Sequence, residues 1–290
     1  MTIQPSVSQH TGFAQLSDLP CLTLQCANAT AVISLYGGQV LSYQPTAGNE
    51  LLWLSAKAQW HNGTAIRGGV PVCWPWFGPV DPTLNPTQLK LPNHGLVRNR
   101  MWQFSHSKTT EDSVCVTLTI TVDDIPASLW HETSEQQPVT LSLLVTLTST
   151  NLSMQLVCDN PLYQQGALHS YFSVNNLQQT SVTGLSPDYF DKVANARRQQ
   201  QNGIVHFNAE TDRIYFDTGP QLHLSDDTQQ RQIVQQGHDA SVIWNPWQQK
   251  SRDLPDMADH GFTEFVCVES AWLNITQVSV LSLAQTLRAS

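Results

Sequence analysis

VCVTLTITV, residues 114–122, and VTLSLLVTLT, residues 139–148, decide the fold class. In the first, Val114, Val116, Leu118, Ile120 and Val122 alternate with Cys115, Thr117, Thr119 and Thr121. In the second, Val139, Leu141, Leu143, Val145 and Leu147 alternate with Thr140, Ser142, Thr146 and Thr148. A period of two, rich in β-branched residues, marks a strand with one face on a core and the other toward water. Further short strands are expected at 22–25, 31–35, 51–54, 152–158, 213–217, 232–235, 241–244, 264–268 and 275–283, set apart by Gly, Pro, Asn and Asp. No window carries a capped apolar stripe at helical spacing. The pattern predicts an all-β fold, a large antiparallel sandwich, in place of an alternating βαβ design. With no internal repeat and no low-complexity linker, residues 1–290 are expected to form one domain. The segment 78–93, GPVDPTLNPTQLKLPN, holds four Pro and reads as a long loop of the kind that usually serves function.

Composition narrows the function. A net charge of −9 argues against a nucleic-acid partner, which needs a clustered basic face. Only five of the fourteen basic residues are Lys, so anion binding falls to a few placed Arg. No apolar run reaches the roughly 18 residues of a membrane span. The opening MTIQPSVSQHTGFAQ has neither a basic start nor an apolar stretch of the secretory kind, so a cytoplasmic location is expected. The six Cys (Cys21, Cys26, Cys73, Cys115, Cys158 and Cys267) show no CxxC spacing and are expected to be mostly buried free thiols in a reducing compartment.

Four places could carry chemistry, and each also has a plain structural reading. In RGGVPVCWPWFGP, 67–79, Gly68 and Gly69 permit close backbone approach, and the Arg67 guanidinium suits a carboxylate or phosphate. Trp74, Trp76 and Phe77 either pack as core or offer flat faces to a sugar ring. In LPNHGLVRNRMW, 91–102, Asn93, His94, Arg98 and Arg100 surround a turn, where a His followed by Gly is often only a turn residue. In ALHSYFSV, 167–174, His169 stands in an apolar strand. If Leu168 and Tyr171 face one way, His169 faces the other, toward solvent or a ligand. In EFVCVESAW, 264–272, Glu269 follows the apolar run Phe265–Val268, either at a solvated strand end or partly buried with a raised pKa, and Glu264 is its rival. His131-Glu132, and His260 near Asp256 and Asp259, lack the spacing of a metal site. Nucleotide-binding and serine-hydrolase motifs are missing too.

Together these segments resemble the aldose 1-epimerase superfamily, and within it the hexose-6-phosphate mutarotase branch. GGQVLSYQP from Gly37, ELLWLS from Glu50, RGGVPVCWPWFG, LPNHGLVRN, ALHSYFSV, ETDRIYF, VIWNPW and FVCVESA follow one another in family order, from about residue 30 to residue 285. The resemblance implies a large antiparallel β-sandwich with a sugar cleft on one face, no cofactor and no metal. It implies that His169 is the general acid and Glu269 the general base that open and close the sugar ring. Arg67, Asn93, His94, Arg98 and Asp212 take the places of the anion and sugar contacts, although the branch often has Gln where Asn93 stands. Trp244, Asn245 and Trp247 match a motif to which the residues alone assign no role. The implied partner is a small sugar phosphate, with no nucleic acid and no membrane, and a monomer is expected. Two other readings stay open: an epimerase for unphosphorylated hexoses, and a non-catalytic carbohydrate-binding protein on the same fold.

Overall fold

The alternating strands are laid side by side. In the computed structural model, which describes residues 4–289, Ser113–Val122 pairs antiparallel with Val139–Thr148, setting Val116 against Val145. Val139–Thr148 pairs in turn with Asn151–Leu162, setting Val145 against Met154. Each of the ten alternating apolar residues, Val114 to Val122 and Val139 to Leu147, is buried. These strands belong to a nine-stranded sheet in the order Val205–His206, Ser181–Thr183, Gln221–Ser225, Gln230–Gln236, Ser279–Ala289, Asn151–Leu162, Val139–Thr148, Ser113–Val122 and Gln103–Thr109.

Facing it is an eight-stranded sheet. It runs Ala196–Gln200, Asp188–Asp191, Thr211–Phe216, Ala240–Asn245, Phe265–Trp272, Gly166–Leu168 and Val72–Cys73, and Tyr171–Ser173 also pairs with Phe265–Trp272. One apolar cluster joins Val116, Leu143 and Leu283 of the first sheet to Leu168, Phe172, Ile243, Val266 and Val268 of the second. Burial of that shared face is what holds an antiparallel sandwich together. A third sheet of four strands, Ser6–Phe13, Leu16–Cys26, Ala29–Ser34 and Gln39–Gln44, completes the all-β architecture.

Several expectations need correction. Residues 51–54 form no strand, only isolated bridges from Leu52 to Phe172 and from Leu54 to Gly68. Trp247–Asp253 is a seven-residue helix, too short to print a periodic stripe. Ser6–Phe13 went unseen because it is polar and largely exposed, leaving no apolar contrast to alternate. The six Cys are free, and all but Cys115 are buried, as expected. In the segment 78–93 the one regular element is a short 3-10 turn, Pro82–Leu84. No described helix is long and apolar enough to cross a membrane.

Candidate active site

Strand alternation in Phe265–Trp272 creates the site. Val266 and Val268 point into the sandwich core, whereas Phe265 and Cys267 join a second cluster on the opposite face of the sheet, with Trp53, Tyr171 and Trp244. Glu269 follows Cys267 by two and shares that outer face. Leu168 pairs with Ser270 and Tyr171 with Cys267, so the same register sets His169 directly opposite Glu269. His169 Nε2 lies 3.4 Å from Glu269 Oε1. The expected grouping of Leu168 with Tyr171 is therefore wrong: three positions apart on a strand, they face opposite ways. Leu168 and Phe172 enter the core, while the Tyr171 ring stacks on His169 at 5.0 Å and 12°.

A buried polar network under the pair fixes these strands. Gln285 Nε2 donates to Ser270 Oγ at 2.9 Å and to the Val268 carbonyl at 3.2 Å, and Ser170 Oγ donates to Gln285 Oε1. Ser270 Oγ donates to Gln235 Oε1 at 2.7 Å. Ser170 and Ser270 each adjoin a member of the pair, so satisfied hydrogen bonds in a dry interior hold the facing side chains in place.

The outer face opens into a cleft of about 300 Å³, lined among others by Arg67, Phe77, Asn93, His94, Arg98, His169, Lys192, Asp212, Trp244, Lys250 and Glu269. All seven site residues implied by the family resemblance, Asp212 among them, border it. Arg67 is delivered by the two glycines that follow it. A Cβ on Gly68 would lie 2.4 Å from the Trp53 carbonyl oxygen, and one on Gly69 would lie 2.2 Å from that of Val40. Both have positive φ, +116° and +60°, so no other residue threads the chain there without strain. Arg67 Nε donates to Asp256 Oδ2 at 3.1 Å, and one amine donates to the Tyr171 hydroxyl at 3.1 Å. The half-buried Arg98 differs: its guanidinium makes no hydrogen bond or ion pair with any described residue.

His94 reaches the cleft from a left-handed turn, φ +65°. Its backbone N–H donates to the Gly78 carbonyl at 2.7 Å, and Gly78 N–H donates to its Nδ1 at 3.3 Å. These bonds clamp the two ends of the 78–93 loop together. An accepting Nδ1 leaves the proton of the neutral ring on Nε2. Burial, then the charges of Arg98, Lys192 and Arg67, push His94 down to about 3. It is thus a neutral donor. Burial likewise holds His169 well below the usual histidine range, helped by His94, Arg98 and Arg67. Burial, then Asp212, pushes Glu269 well above the carboxylate range. His169 Nδ1 and Glu269 Oε2 are buried without a partner, which leaves hydrogen-bonding capacity for a ligand.

The sequence profile of the aldose 1-epimerase family matches residues 20–281. The chain belongs to that family. A relative from Escherichia coli K12, named “putative glucose-6-phosphate 1-epimerase”, is 33% identical over 284 residues, covering 95% of this chain and 92% of that one. The crystal structure of a “putative mutarotase (YeaD)” from Salmonella typhimurium superposes with a TM-score of 0.85 at 29% identity, covering 100% of this chain and 96% of that one. A galactose 1-epimerase from Lactobacillus acidophilus shares the fold with a TM-score of 0.69 at 13% identity, covering 100% of this chain and 99% of that one.

On this aldose 1-epimerase frame the remaining candidates sort themselves. Glu269 is 1% exposed in mid-strand, not at a solvated end. Glu264 lies outside the cleft, with its side chain 45% exposed, accepting a hydrogen bond from Trp53 Nε1 and facing His260. Trp74 and Trp76 are core residues, and of that aromatic group only Phe77 borders the cleft. Arg100 pairs with Asp124. In the VIWNPW motif, Trp244 lines the cleft, while Asn245 is a buried latch that donates to the Phe262 and Phe265 carbonyls. Trp247 packs on Phe262, away from the site. His131 bonds Thr133, and His260 is a surface residue. Among the described residues the one metal-capable group is instead His169, Cys267 and Glu269.

Two cations escaped the sequence reading. Lys192 Nζ lies 3.3 Å from Asp212 Oδ2 and over the Phe77 ring, and Lys250 Nζ lies 2.9 Å from Glu210 Oε1. Neither sits in a distinctive local motif. The scarcity of Lys in the chain was the one signal available.

Proposed function

We propose that this protein interconverts the α and β anomers of hexose 6-phosphates, glucose 6-phosphate foremost, by acid–base opening and closing of the sugar ring. One observation carries the reading. A buried imidazole–carboxyl pair borders a cleft that also presents an unpaired guanidinium, in a chain of net charge −9. The name of the Escherichia coli relative supports the same substrate.

Ring opening takes a proton from the anomeric hydroxyl and delivers one to the ring oxygen. Rotation about C1–C2 and reclosure on the other carbonyl face give the second anomer. The open-chain aldehyde is neutral, so two placed proton carriers suffice, each typically worth ~10²–10⁴-fold. Glu269 serves as the base toward the anomeric hydroxyl and His169 as the acid toward the ring oxygen. Burial favours the uncharged forms of both groups, so the proton they share rests on Glu269. Moving it across to His169 creates the working carboxylate and imidazolium without gaining or losing a proton.

A bound phosphate favours that transfer. It neutralises Arg98 and Arg67, two of the charges that hold the imidazolium down. Arg98 grips the phosphate, Arg67 and His94 donate to it or to ring hydroxyls, and Asp212 with Lys192 and Asn93 orient the rest of the sugar. Remote binding energy is thereby used to position the reacting carbon. The test is anomer exchange measured by NMR on glucose 6-phosphate and on free glucose. Faster exchange of the phosphate ester is expected. Equal efficiency on the two sugars would refute the phosphate assignment, and no acceleration of either would refute the enzyme.

A further inference from the structure

The cleft face of Phe265–Trp272 carries a third group that the proton-transfer chemistry does not use. Cys267 stands two residues before Glu269 and is fully buried. Because Tyr171 is its cross-strand partner, the thiol lies diagonally from His169. One donor atom from each of His169, Cys267 and Glu269 lies within 4.8 Å of the other two. Tetrahedral zinc, with bonds of ~2.3 Å to sulfur and ~2.0–2.1 Å to nitrogen and oxygen, spaces its ligand atoms about 3.3–3.6 Å apart. His169 Nε2 and Glu269 Oε1, at 3.4 Å, already have that spacing. The thiol sulfur, within 4.8 Å of both, completes the set by closing to about 3.6 Å.

A second, independent observation points to a ligand at this place. Glu269, 1% exposed, keeps Oε2 buried and unpartnered. His169 and Glu269 border the cleft, and Cys267 is buried beside them on the same face of the sheet. Three protein donors with a fourth position open to a cavity match the donor set of an accessible zinc site.

We propose that a thiophilic divalent cation, with Zn²⁺ as the type case, binds to His169, Cys267 and Glu269 and switches the protein off by occupying both proton-transfer groups. The inhibition rests on the function proposed above; the binding does not. Coordination forms bonds from the metal to imidazole nitrogen, thiolate sulfur and carboxylate oxygen. The thiol proton and the one proton shared by the pair go to solvent, and nothing is oxidised or reduced. A dication with a thiolate and a carboxylate sums to zero charge, so nearby Arg67 and Arg98 do not oppose the complex strongly. Soft sulfur selects Zn²⁺, Cd²⁺ or Co²⁺ over Mg²⁺ and Ca²⁺.

The test uses the full chain with Co²⁺ as a spectroscopic probe and Zn²⁺ as the inhibitor of anomer exchange. One equivalent of Co²⁺ should produce a thiolate-to-cobalt charge-transfer band. Zn²⁺ should inhibit, a chelator should restore the rate, and Mg²⁺ should do nothing. Cys267→Ala and Cys267→Ser should keep the uninhibited rate, lose the band and need at least ~10–100-fold more zinc, as weakened metal sites typically do. Cys73→Ala should retain the band, although that thiol lies 3.4 Å from His94 Nδ1. Absence of the band in the parent chain, or undiminished zinc sensitivity in either folded Cys267 variant, would overturn the proposal. A normal cobalt band in a chain without anomer exchange would leave the metal site standing and refute the enzymatic function instead.

Discussion

Replacing Arg98 by Ala removes the cleft's unpaired guanidinium without breaking any hydrogen bond or ion pair between described residues. The fold should therefore survive with little change in Tm. A charge-assisted hydrogen bond contributes about 1.5–3 kcal/mol, which is roughly 10- to 150-fold in affinity at 1.4 kcal/mol per decade. The kcat/KM for glucose 6-phosphate should fall by that factor, mostly through KM, and competition by inorganic phosphate should weaken in parallel. Free glucose makes no phosphate contact and should lose much less. Arg98 is also one of the charges that hold His169 below the usual histidine range, after burial and His94. Its removal should raise the pKa of His169 and shift the pH profile for glucose upward. Arg67→Ala makes the control. It breaks the bonds to Asp256 and Tyr171, and Asp256 Oδ1 is already buried without a partner. That variant should lower Tm and impair both sugars together. An unchanged KM for glucose 6-phosphate in Arg98→Ala, or equal losses on both sugars, would refute the assignment of Arg98 to the phosphate.

Glu269→Gln and His169→Ala should each slow anomer exchange by at least ~10²-fold in folded protein, checked by exchange NMR, and near-normal rates in both would sink the acid–base pair. The same Glu269→Gln chain should gain stability relative to the parent as pH rises. A carboxyl with a raised folded pKa contributes stability that is complete below its unfolded pKa and lost as pH climbs through the folded one, whereas Gln has none to lose. Its Tm advantage over the parent should widen as pH climbs above the ordinary glutamate range, and a constant difference would contradict the buried-carboxyl picture. Prolonged dialysis against a strong chelator should leave the rate intact or raise it; a loss restored by zinc or magnesium would show that a metal takes part in catalysis.

Much of the molecule is legible in one dimension. The period of two in 114–122 and 139–148 specifies strands with one buried face, because that periodicity is a local property of the pleat. Arg67, Asn93, His94, Arg98, His169, Asp212 and Glu269 could be named from motif order alone. Their convergence could not, since residue 67 meets residue 256, and residue 169 meets residue 269, only when segments far apart in the chain are folded together. Local pattern states that a side chain alternates, not which partner faces it. It left Tyr171 on the wrong side and could not separate Glu269 from Glu264. Lys192, Lys250, Asp256 and the Gln285 network carried no local signature at all. Packing of one sheet on the other fixed the register, and the register decided burial. Burial in turn set the charge states of His169 and Glu269, because removing a charge from water costs more than any neighbouring residue type can announce in sequence.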